Sequence, residues 1–385
     1  MKILKIIISG YKLLENNFEI DFLNKARVNS SDKDDEVIEL DEGLYIPTTI
    51  VFTGKNASGK SSVLSMIEFV NELLLSGRIK YDKLDFRSKT IKLTTFFYLL
   101  GTVYKYESNI SIPEATLLNE TSYCKFSNEK LYSKKYSKSY SKRILDLDFD
   151  EDNTYTSNVS DTSILYKLTN KRTLVINTNN WIHNYRIESI FDIFNLVEVS
   201  TELMLKITNL FDEGIKKFEY DLDKKLFILD LNGIGAKTYS EKEVDMLLSD
   251  GTKKGLIMFG LTIAILKMGG TLIIDEIENS FHKNLVENII MIFNDKRINV
   301  MNANLIFSTH YVEILDIFRR RDNIFVMKKN DHIVACNLYK DFKDRIDLSK
   351  SNQFNNNTFQ TLINYDRLME LKKELINEIS NTVRG

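Results

Sequence analysis

Apolar residues recur along this chain with two periods, one of two residues and one close to 3.6, which indicate strands and helices respectively. The predicted strands of the N-terminal third lie at 2–9, 18–22 and 48–52. A helix is predicted over 61–75, because its apolar residues fall on one face. Alternating Tyr, Phe, Thr and Ile residues predict a pair of antiparallel strands over 91–112, and the polar residues 24–43 indicate a loop.

The C-terminal third alternates helical and strand patterns. Helices are predicted over 256–267 and 283–294. The predicted strands of this region lie at 226–231, 271–274, 303–307 and 324–327. Strands that alternate with helices pair in parallel, so this rhythm predicts an α/β fold with a mostly parallel central sheet. The Asn-rich residues 351–357 are predicted to link this fold to a last helix at about 361–380, and no long heptad pattern indicates a coiled coil.

The middle of the chain interrupts this rhythm, and we expect 115–225 to be a mainly helical insertion. A helical pattern runs from about 185 to 217, whereas residues 124–143 hold seven Lys or Arg against one Glu and are followed by an acidic run. Three tyrosines are interleaved with these charges: Tyr132, Tyr136 and Tyr140. The predicted divisions are 1–114 (first half of the fold with an antiparallel β-lobe), 115–225, 226–345 (second half of the fold) and 346–385 (linker and helix).

Charge and cysteine usage exclude several classes of protein. The formal net charge of -2 gives no overall attraction to nucleic acid or acidic membranes, so such binding would need a local patch. Cys124 and Cys336 lack metal-ligand spacing, so a disulfide framework is not expected. No apolar run approaches the roughly 18 residues of a membrane span, and the N-terminal run is too short for a secretory signal. We therefore expect a cytoplasmic protein with no membrane partner.

Residues 54–61, Gly-Lys-Asn-Ala-Ser-Gly-Lys-Ser, fit the pattern of a phosphate-binding loop between a strand and a helix. Such a loop turns backbone N–H groups towards phosphate oxygens, and the following helix adds the positive end of its dipole. The residues expected to bind the nucleotide here are Gly54, Asn56, Ala57, Ser58, Gly59, Lys60, Ser61 and Ser62. Lys60 is expected to reach the β- and γ-phosphates during catalysis, and the Ser61 hydroxyl is expected to bind Mg²⁺.

Two further apolar strands end in polar residues. Asp275 and Glu276 follow the first, where Asp275 is expected to hold Mg²⁺ and Glu276 to orient or deprotonate the attacking water. His310 follows the second and should reach the same edge of the sheet, where it can sense the γ-phosphate. Ser249 and Gly251 stand at the entrance of the helix before Asp275, and this pattern indicates either an anion site or a simple helix cap.

Together these motifs resemble the ABC-ATPase superfamily, in its order of Walker A, signature, Walker B, D-loop and switch histidine. The signature and the stretches 275–282 and 308–310 resemble the SMC, RecF and OLD-like branch, especially single-chain ATPases of bacterial anti-phage systems. The resemblance covers roughly 1–110 and 230–335, and it implies an ABC-ATPase head. It also implies that ATP and Mg²⁺ are the cofactors, and that Ser249 and Gly251 complete the nucleotide site of the opposite subunit.

The resemblance implies a homodimer that ATP closes and hydrolysis releases, but the branch usually carries a glutamine after the first β-lobe. This chain has only Gln353 and Gln360, both in the tail, and Glu120 is the candidate replacement. Three roles stay open: a sensor or regulatory ATPase of a defence system with a separate effector, a RecF-like DNA clamp, and a transporter subunit. Residues 124–143 either track nucleic acid or form a solvated hairpin. The balanced charge and the signature favour the sensor role.

Overall fold

The computed structural model describes most of the chain. The described residues are 1–80, 90–111, 123–140, 144–146, 149, 154–168, 175–177, 199–221, 223–279, 281–342, 349–359 and 365–384. The strands are β1 (Lys2–Ser9), β2 (Phe18–Asp21), β3 (Val37–Asp41), β4 (Leu44–Pro47), β5 (Thr49–Thr53), β6 (Thr90–Leu99), β7 (Thr102–Ser111), β8 (Lys125–Lys135), β9 (Thr154–Ser157), β10 (Val175–Asn177), β11 (Ile215–Asp221), β12 (Leu226–Leu231), β13 (Lys237–Tyr239), β14 (Thr271–Ile274), β15 (Asn304–Thr309), β16 (Ile324–Lys329) and β17 (Ile333–Asn337). The α-helices are α1 (Ser30–Lys33), α2 (Lys60–Ser76), α3 (Thr201–Asn209), α4 (Glu241–Leu247), α5 (Asp250–Met268), α6 (Lys283–Asn294), α7 (Lys350–Asn355) and α8 (Tyr365–Arg384).

A central sheet in the order β10-β14-β15-β5-β16-β17 carries the fold, and its pairs are parallel except for β16 with β17. Alternate residues of each central strand are buried on opposite faces, as in β5, where Ile50 and Phe52 face one core cluster and Val51 the other. The first cluster includes α2, and the second includes α5 and α6. Helices therefore cover both faces of the sheet, as the alternating sequence pattern predicts.

An antiparallel sheet in the order β2-β1-β6-β7-β8-β9 forms the lobe beside the central sheet. Its inner face shares a core cluster with α2, to which β1 contributes Ile6 and Ile8, and β7 contributes Tyr106 and Ile110. The helix α2 is thus packed between the two sheets. The predicted fold class, an α/β head with a mostly parallel sheet and an antiparallel lobe, is confirmed, and no coiled coil occurs in the described ranges.

The described residues of 115–225 form more strand than helix, whereas we expected a mainly helical insertion. Its described residues supply β8 and β9 to the antiparallel sheet and β10 to the parallel sheet, and α3 is its only described α-helix. The helical pattern over 185–217 lies mostly outside the described residues, and its end forms α3 and the start of β11. The segment therefore completes both sheets, because its strand edges pair with β7 and β14. The four predicted divisions of the chain stay predictions.

Two stretches that we expected to be loops contain regular structure. Residues 24–43 include α1 and β3, because Asn29 and Asp32 form a capping box and the buried Val37 and Ile38 pair with β4. In the Asn-rich stretch, Ser349 caps α7, which buries Gln353 and Phe354. Local capping thus produces structure where composition indicated a loop.

A three-stranded sheet, β11-β12-β13, packs with α3, α4 and the first turns of α5. Its core contains Phe218, Phe227, Leu229 and Val244. This small unit supports the segment at Ser249, because α4 ends directly before it and α5 begins directly after it. Among the described residues, no helix is long and apolar enough to cross a membrane.

Candidate nucleotide site

Three neighbouring strands of the central sheet, β14, β15 and β5, end at the same edge. Thr309 pairs with Thr53, and Phe307 pairs with Ile274, so the carboxyl ends of these strands lie side by side. The phosphate loop (residues 54–61) follows β5, His310 follows β15, and the acidic pair follows β14. Ligands of open α/β sheets collect at this kind of edge. The structure thus places the predicted loop, acids and histidine together.

The phosphate loop follows a backbone path that requires glycine at two positions. Gly54 has a φ of +150°, and a Cβ there would lie 2.6 Å from the carbonyl oxygen of Met327. Gly59 has a φ of +99°, and a Cβ there would lie 2.6 Å from the side chain of Ile333. Ala57 also has a positive φ, of 59°. The start of the loop therefore packs closely against β16, and its end packs closely against β17. The loop leads directly into the N-terminus of α2.

The side chains of the loop differ in exposure. Ser58 is buried, and its hydroxyl has no hydrogen-bond partner among the described residues. Lys55 and Asn56 are exposed, and Ser61 in the first turn of α2 is also exposed. An exposed Ser61 and the backbone of the loop can meet a ligand that approaches from the edge of the sheet.

Lys60 is buried, with a relative exposure of 5%, and its ammonium donates to the carbonyl oxygens of Gly54 (3.0 Å) and Lys55 (3.3 Å). Burial lowers the pKa of Lys60, and the nearby carboxylates of Glu276, Asp275 and Glu278 oppose this shift. A cation is thus held inside the loop beside three acids. A phosphate group can bind to this ammonium, and a divalent cation can bind to the acids beside it.

A buried hydroxyl joins the ends of β15 and β14. Ser308 Oγ donates to Asp275 Oδ1 and accepts from the backbone N–H of Glu276 at 2.7 Å. Glu276 adopts a left-handed conformation with a φ of 48°, which is uncommon for a residue other than glycine. The sequence analysis assigned no role to Ser308. The signal that could have identified Ser308 is its place in the sequence: it lies one residue before the end of a buried strand and two residues before His310.

The turn after β14 surrounds His310. His310 Nε2 lies 3.6 Å from Glu276 Oε1, and the backbone N–H of His310 donates to Glu278 Oε1 at 2.5 Å. Asn279 Nδ2 donates to the other oxygen of Glu276, Oε2, at 2.5 Å. Glu278 Oε2 is buried and has no partner among the described residues, and Ser280 lies outside them. The acidic turn and the histidine loop therefore form one connected unit.

The oxygen donors at this edge fit a magnesium ion bound together with a nucleotide. Mg²⁺ prefers oxygen ligands and commonly takes one or two protein groups while phosphates and water supply the rest. Asp275 keeps Oδ2 after Oδ1 has bonded to Ser308, and the Ser61 hydroxyl is exposed at the start of α2. The side-chain chemistry therefore suits this ion.

Ser249 and Gly251 lie at the N-terminus of α5. Ser249 Oγ accepts from the backbone N–H of Thr252 at 3.1 Å and lies 2.9 Å from its hydroxyl, so the predicted helix cap is present. A Cβ at Gly251 would meet only Ser249 Oγ, at 3.7 Å. Both residues are exposed, and within the described ranges no hydrogen bond joins them to the phosphate loop. The cap does not exclude an anion site, because several amides of the first turn face outward.

The three tyrosines of the basic segment 124–143 are engaged in contacts with neighbouring side chains. Tyr136 lies edge-on to Tyr98 and donates to the carbonyl oxygen of Glu42 at 2.9 Å, and burial and nearby acids raise its pKa to about 12. Tyr132 contacts Phe149, with ring centroids 6.0 Å apart. The ammonium of Lys134 lies over the Tyr140 ring at 5.4 Å. These contacts favour the hairpin interpretation, because a ring that stacks on a base needs a free face.

The role of Glu120 as the replacement for the missing glutamine stays a prediction. Glu120 and Gln360 lie outside the described residues. Gln353 is buried in α7 and accepts a hydrogen bond from Arg321 at 3.1 Å, so it belongs to the packing of the tail.

Comparisons with known proteins agree with this geometry. The family model described as "AAA domain, putative AbiEii toxin, Type IV TA system" matches residues 50–316, which is more than half of the chain. The chain belongs to this family. It is an ATP-hydrolysing enzyme, and the expectation of an ABC-type ATPase is confirmed. ATPases of this type use ATP and Mg²⁺.

The structure is also similar to the SMC head domain from Thermotoga maritima, with a TM-score of 0.43 and 14% sequence identity. That alignment covers 88% of this chain and 99% of the other. None of the curated proteins that were compared with the chain matches it.

Proposed function

We propose that two copies of this ATPase close head to tail around two ATP molecules. The observation that carries this proposal is the separation of the site into two exposed halves. The phosphate loop, the acids and His310 share one edge of the sheet, whereas Ser249 and Gly251 are exposed at the N-terminus of α5. Met246, just before them, is 85% exposed, which suits a surface that another protomer covers.

Within one protomer, the residues at the sheet edge divide the chemistry. The loop amides and Lys60 bind the phosphates, and Ser61 and Asp275 bind Mg²⁺, which supplies charge neutralisation on the phosphates when bound. Glu276 orients and deprotonates the attacking water, and His310 bonds to the γ-phosphate. Ser249 and Gly251 of the opposite protomer complete the anion site through their hydroxyl and amides. ATP then favours the closed dimer, and hydrolysis releases it.

We further propose that this closure regulates a separate effector protein in a bacterial defence system. The description of the matching family names a toxin and a toxin–antitoxin system, which supports a role in such systems. Among the residues that the structure describes, those that carry recognisable chemistry belong to the ATP site, so a switch is the simplest use of that site. The packed tyrosines of 124–143 do not favour the RecF-like DNA clamp.

Mixing two inactive variants tests the head-to-tail arrangement. Lys60→Ala removes the phosphate lysine, and Ser249→Arg blocks the exposed helix N-terminus, so each variant alone should lose ATP turnover. A mixed dimer keeps one complete site, so an equal mixture should recover about a quarter of the wild-type activity, since half of the dimers are mixed. Activity that stays absent in every mixture contradicts a site shared between protomers.

Glu276→Gln tests the switch and its partner. We expect turnover to fall about 1,000-fold, as for removal of a general base, while Mg-ATP shifts the mass from monomer to dimer. Unchanged turnover contradicts the assignment of the base. A second protein that co-purifies in stoichiometric amount either with the ATP-bound dimer or with the nucleotide-free monomer, but not with both, supports the effector role. DNA that binds only to the ATP-closed dimer supports the clamp instead.

A further inference from the structure

Asn279 lies in the stretch 275–282, just after the acidic pair, and makes two contacts with Glu276. Its backbone N–H donates to the carbonyl oxygen of Glu276 at 2.8 Å. Its side-chain amide donates to Glu276 Oε2 at 2.5 Å. The two contacts close the short 3₁₀ turn Ile277–Asn279 directly after the acidic pair.

Glu276 depends on such contacts because its own conformation is unfavourable. A non-glycine residue with a φ of 48° stays in place only when its surroundings hold it. Ser308 holds the backbone N–H of Glu276 from one side, and Asn279 holds the carbonyl oxygen from the other. The backbone of Glu276 is thus fixed at both of its polar groups.

The carboxylate of Glu276 is 40% exposed, so without a partner it would sample several rotamers in solvent. Asn279 occupies Oε2, which leaves Oε1 directed at His310 Nε2, 3.6 Å away. The amide thereby selects the orientation in which one oxygen faces the histidine and the centre of the site.

We propose that Asn279 is a positioning residue for Glu276, which turns the free carboxylate oxygen towards the water that attacks ATP. The inference rests on the proposed role of Glu276 as the base. Asn279 itself touches neither the phosphate loop nor His310 through any hydrogen bond of the described residues. It acts through Glu276, so its loss changes turnover and leaves nucleotide binding unchanged.

Full-length Asn279→Ala and Asn279→Asp variants test the proposal. Both lose the amide donor, and Asn279→Asp keeps the shape of the side chain. We expect kcat to fall about tenfold, as for a misplaced catalytic group, while KM and the affinity for ATP stay unchanged. Asn279 is exposed, so folding should be unaffected, and a melting curve checks this. The matched control is Asn288→Ala, an exposed asparagine whose amide bonds only within its own helix.

A double-mutant cycle separates this role from a structural one. In the Glu276→Gln background, Asn279→Ala should cause no further loss of single-turnover rate. A further tenfold loss would show that Asn279 acts independently of Glu276, and a rise in kcat of the single variant would show that it restrains the base. Loss of the ATP-dependent dimer would place its action at the interface. If Glu276→Gln itself leaves turnover unchanged, the proposed base fails first, and this inference fails with it.

Discussion

The two edges of the parallel sheet each hold a lysine ammonium, and the two ammonium groups have opposite surroundings. At the carboxyl edge, Lys60 lies in the phosphate loop near Glu276, Asp275 and Glu278. At the amino edge, Lys2 donates to Gly269 O (3.2 Å), Gly270 O (3.5 Å) and Asn304 Oδ1 (2.5 Å), which are all neutral acceptors.

Each edge is also tied together by a side chain of β15. Asn304 at its start accepts from Lys2 and donates to Pro47 O at 2.9 Å, next to the start of β5. Ser308 near its end bonds to Asp275 and to the backbone of Glu276. The same strand thus binds a lysine and a backbone carbonyl group at one edge, and a carboxylate and a backbone N–H at the other.

The different surroundings of Lys60 and Lys2 indicate which of the two buried lysines can bind a ligand. Burial lowers the pKa of both lysines, but only Lys60 has carboxylates that oppose the shift. Burial alone lowers the pKa of Lys2 to about 7. A lysine that keeps its charge near acids can exchange them for phosphates, whereas a lysine among carbonyl groups contributes to packing.

The largest effect is expected for Lys60→Ala. Loss of the buried ammonium of the loop should weaken ATP binding about 100-fold, since hydrogen bonds to charged groups are among the strongest in proteins. Equilibrium titration with Mg-ATP measures this loss. The control is Lys55→Ala in the same loop. The side chain of Lys55 is exposed, and its backbone carbonyl, which accepts from Lys60, is kept in this variant. Equal affinities of the wild type and Lys60→Ala would contradict the assignment of the phosphate loop.

A smaller effect is expected for Ser308→Ala, which removes the bridge at the carboxyl edge. The backbone N–H of Glu276 then lacks its partner, so the free energy of unfolding should fall by about 1–3 kcal/mol. Turnover should fall with it, because Asp275 and Glu276 lose their common anchor. Denaturant unfolding and steady-state hydrolysis measure the two losses, and the exposed Ser139→Ala is the control. If neither quantity changes, the bridge does not hold the acids.

The effect expected for Lys2→Met concerns stability alone, and it depends on pH. The pKa of Lys2 is lowered from 10.5 to about 7 in the folded protein, so the unfolded chain takes up the proton first as the pH falls. Lys2 therefore destabilises the fold progressively between pH 10.5 and about 7, and fully below it. Relative to the wild type, Lys2→Met should be most stabilised near neutral pH, with the difference shrinking towards pH 10.5.

Denaturant unfolding across this pH range measures the effect of Lys2→Met. Lys92→Met, at an exposed position of β6, is the control for removal of a lysine. A difference between wild type and Lys2→Met that is constant over the same range would mean that Lys2 keeps its ordinary pKa.

The nucleotide edge was predictable because its parts are local. The strand, loop and helix over 48–75 form from neighbouring residues, and the glycines at 54 and 59 stand where a side chain would clash. Parallel pairing then carries the carboxyl ends of β14 and β15 to the same edge. The strand pattern therefore sufficed to group Asp275, Glu276 and His310.

The lobe was harder to predict because β8 does not alternate regularly. A register shift opposite Glu107 and Asn109, with Asn128 at a φ of 53°, interrupts its period of two. Glu129 in the same strand is buried and accepts from the hydroxyls of Tyr106 and Ser163, both at 2.6 Å. A buried carboxylate among lysines looks like part of a solvated hairpin in the sequence, so the packing of this strand into the lobe was not predicted.

The sequence by itself determined the order of the motifs, the parallel sheet and the edge at which the predicted site residues meet. These features follow from local backbone requirements and from the pairing rules of strands. Only the tertiary structure decided which side chains hold the two edges of the sheet: Ser308 on Asp275 and Asn279 on Glu276 at the site, and Lys2 on Asn304 at the opposite edge. Two of these bonds join residues 33 and 302 positions apart, and no local pattern encodes a contact that forms only when distant strands pack.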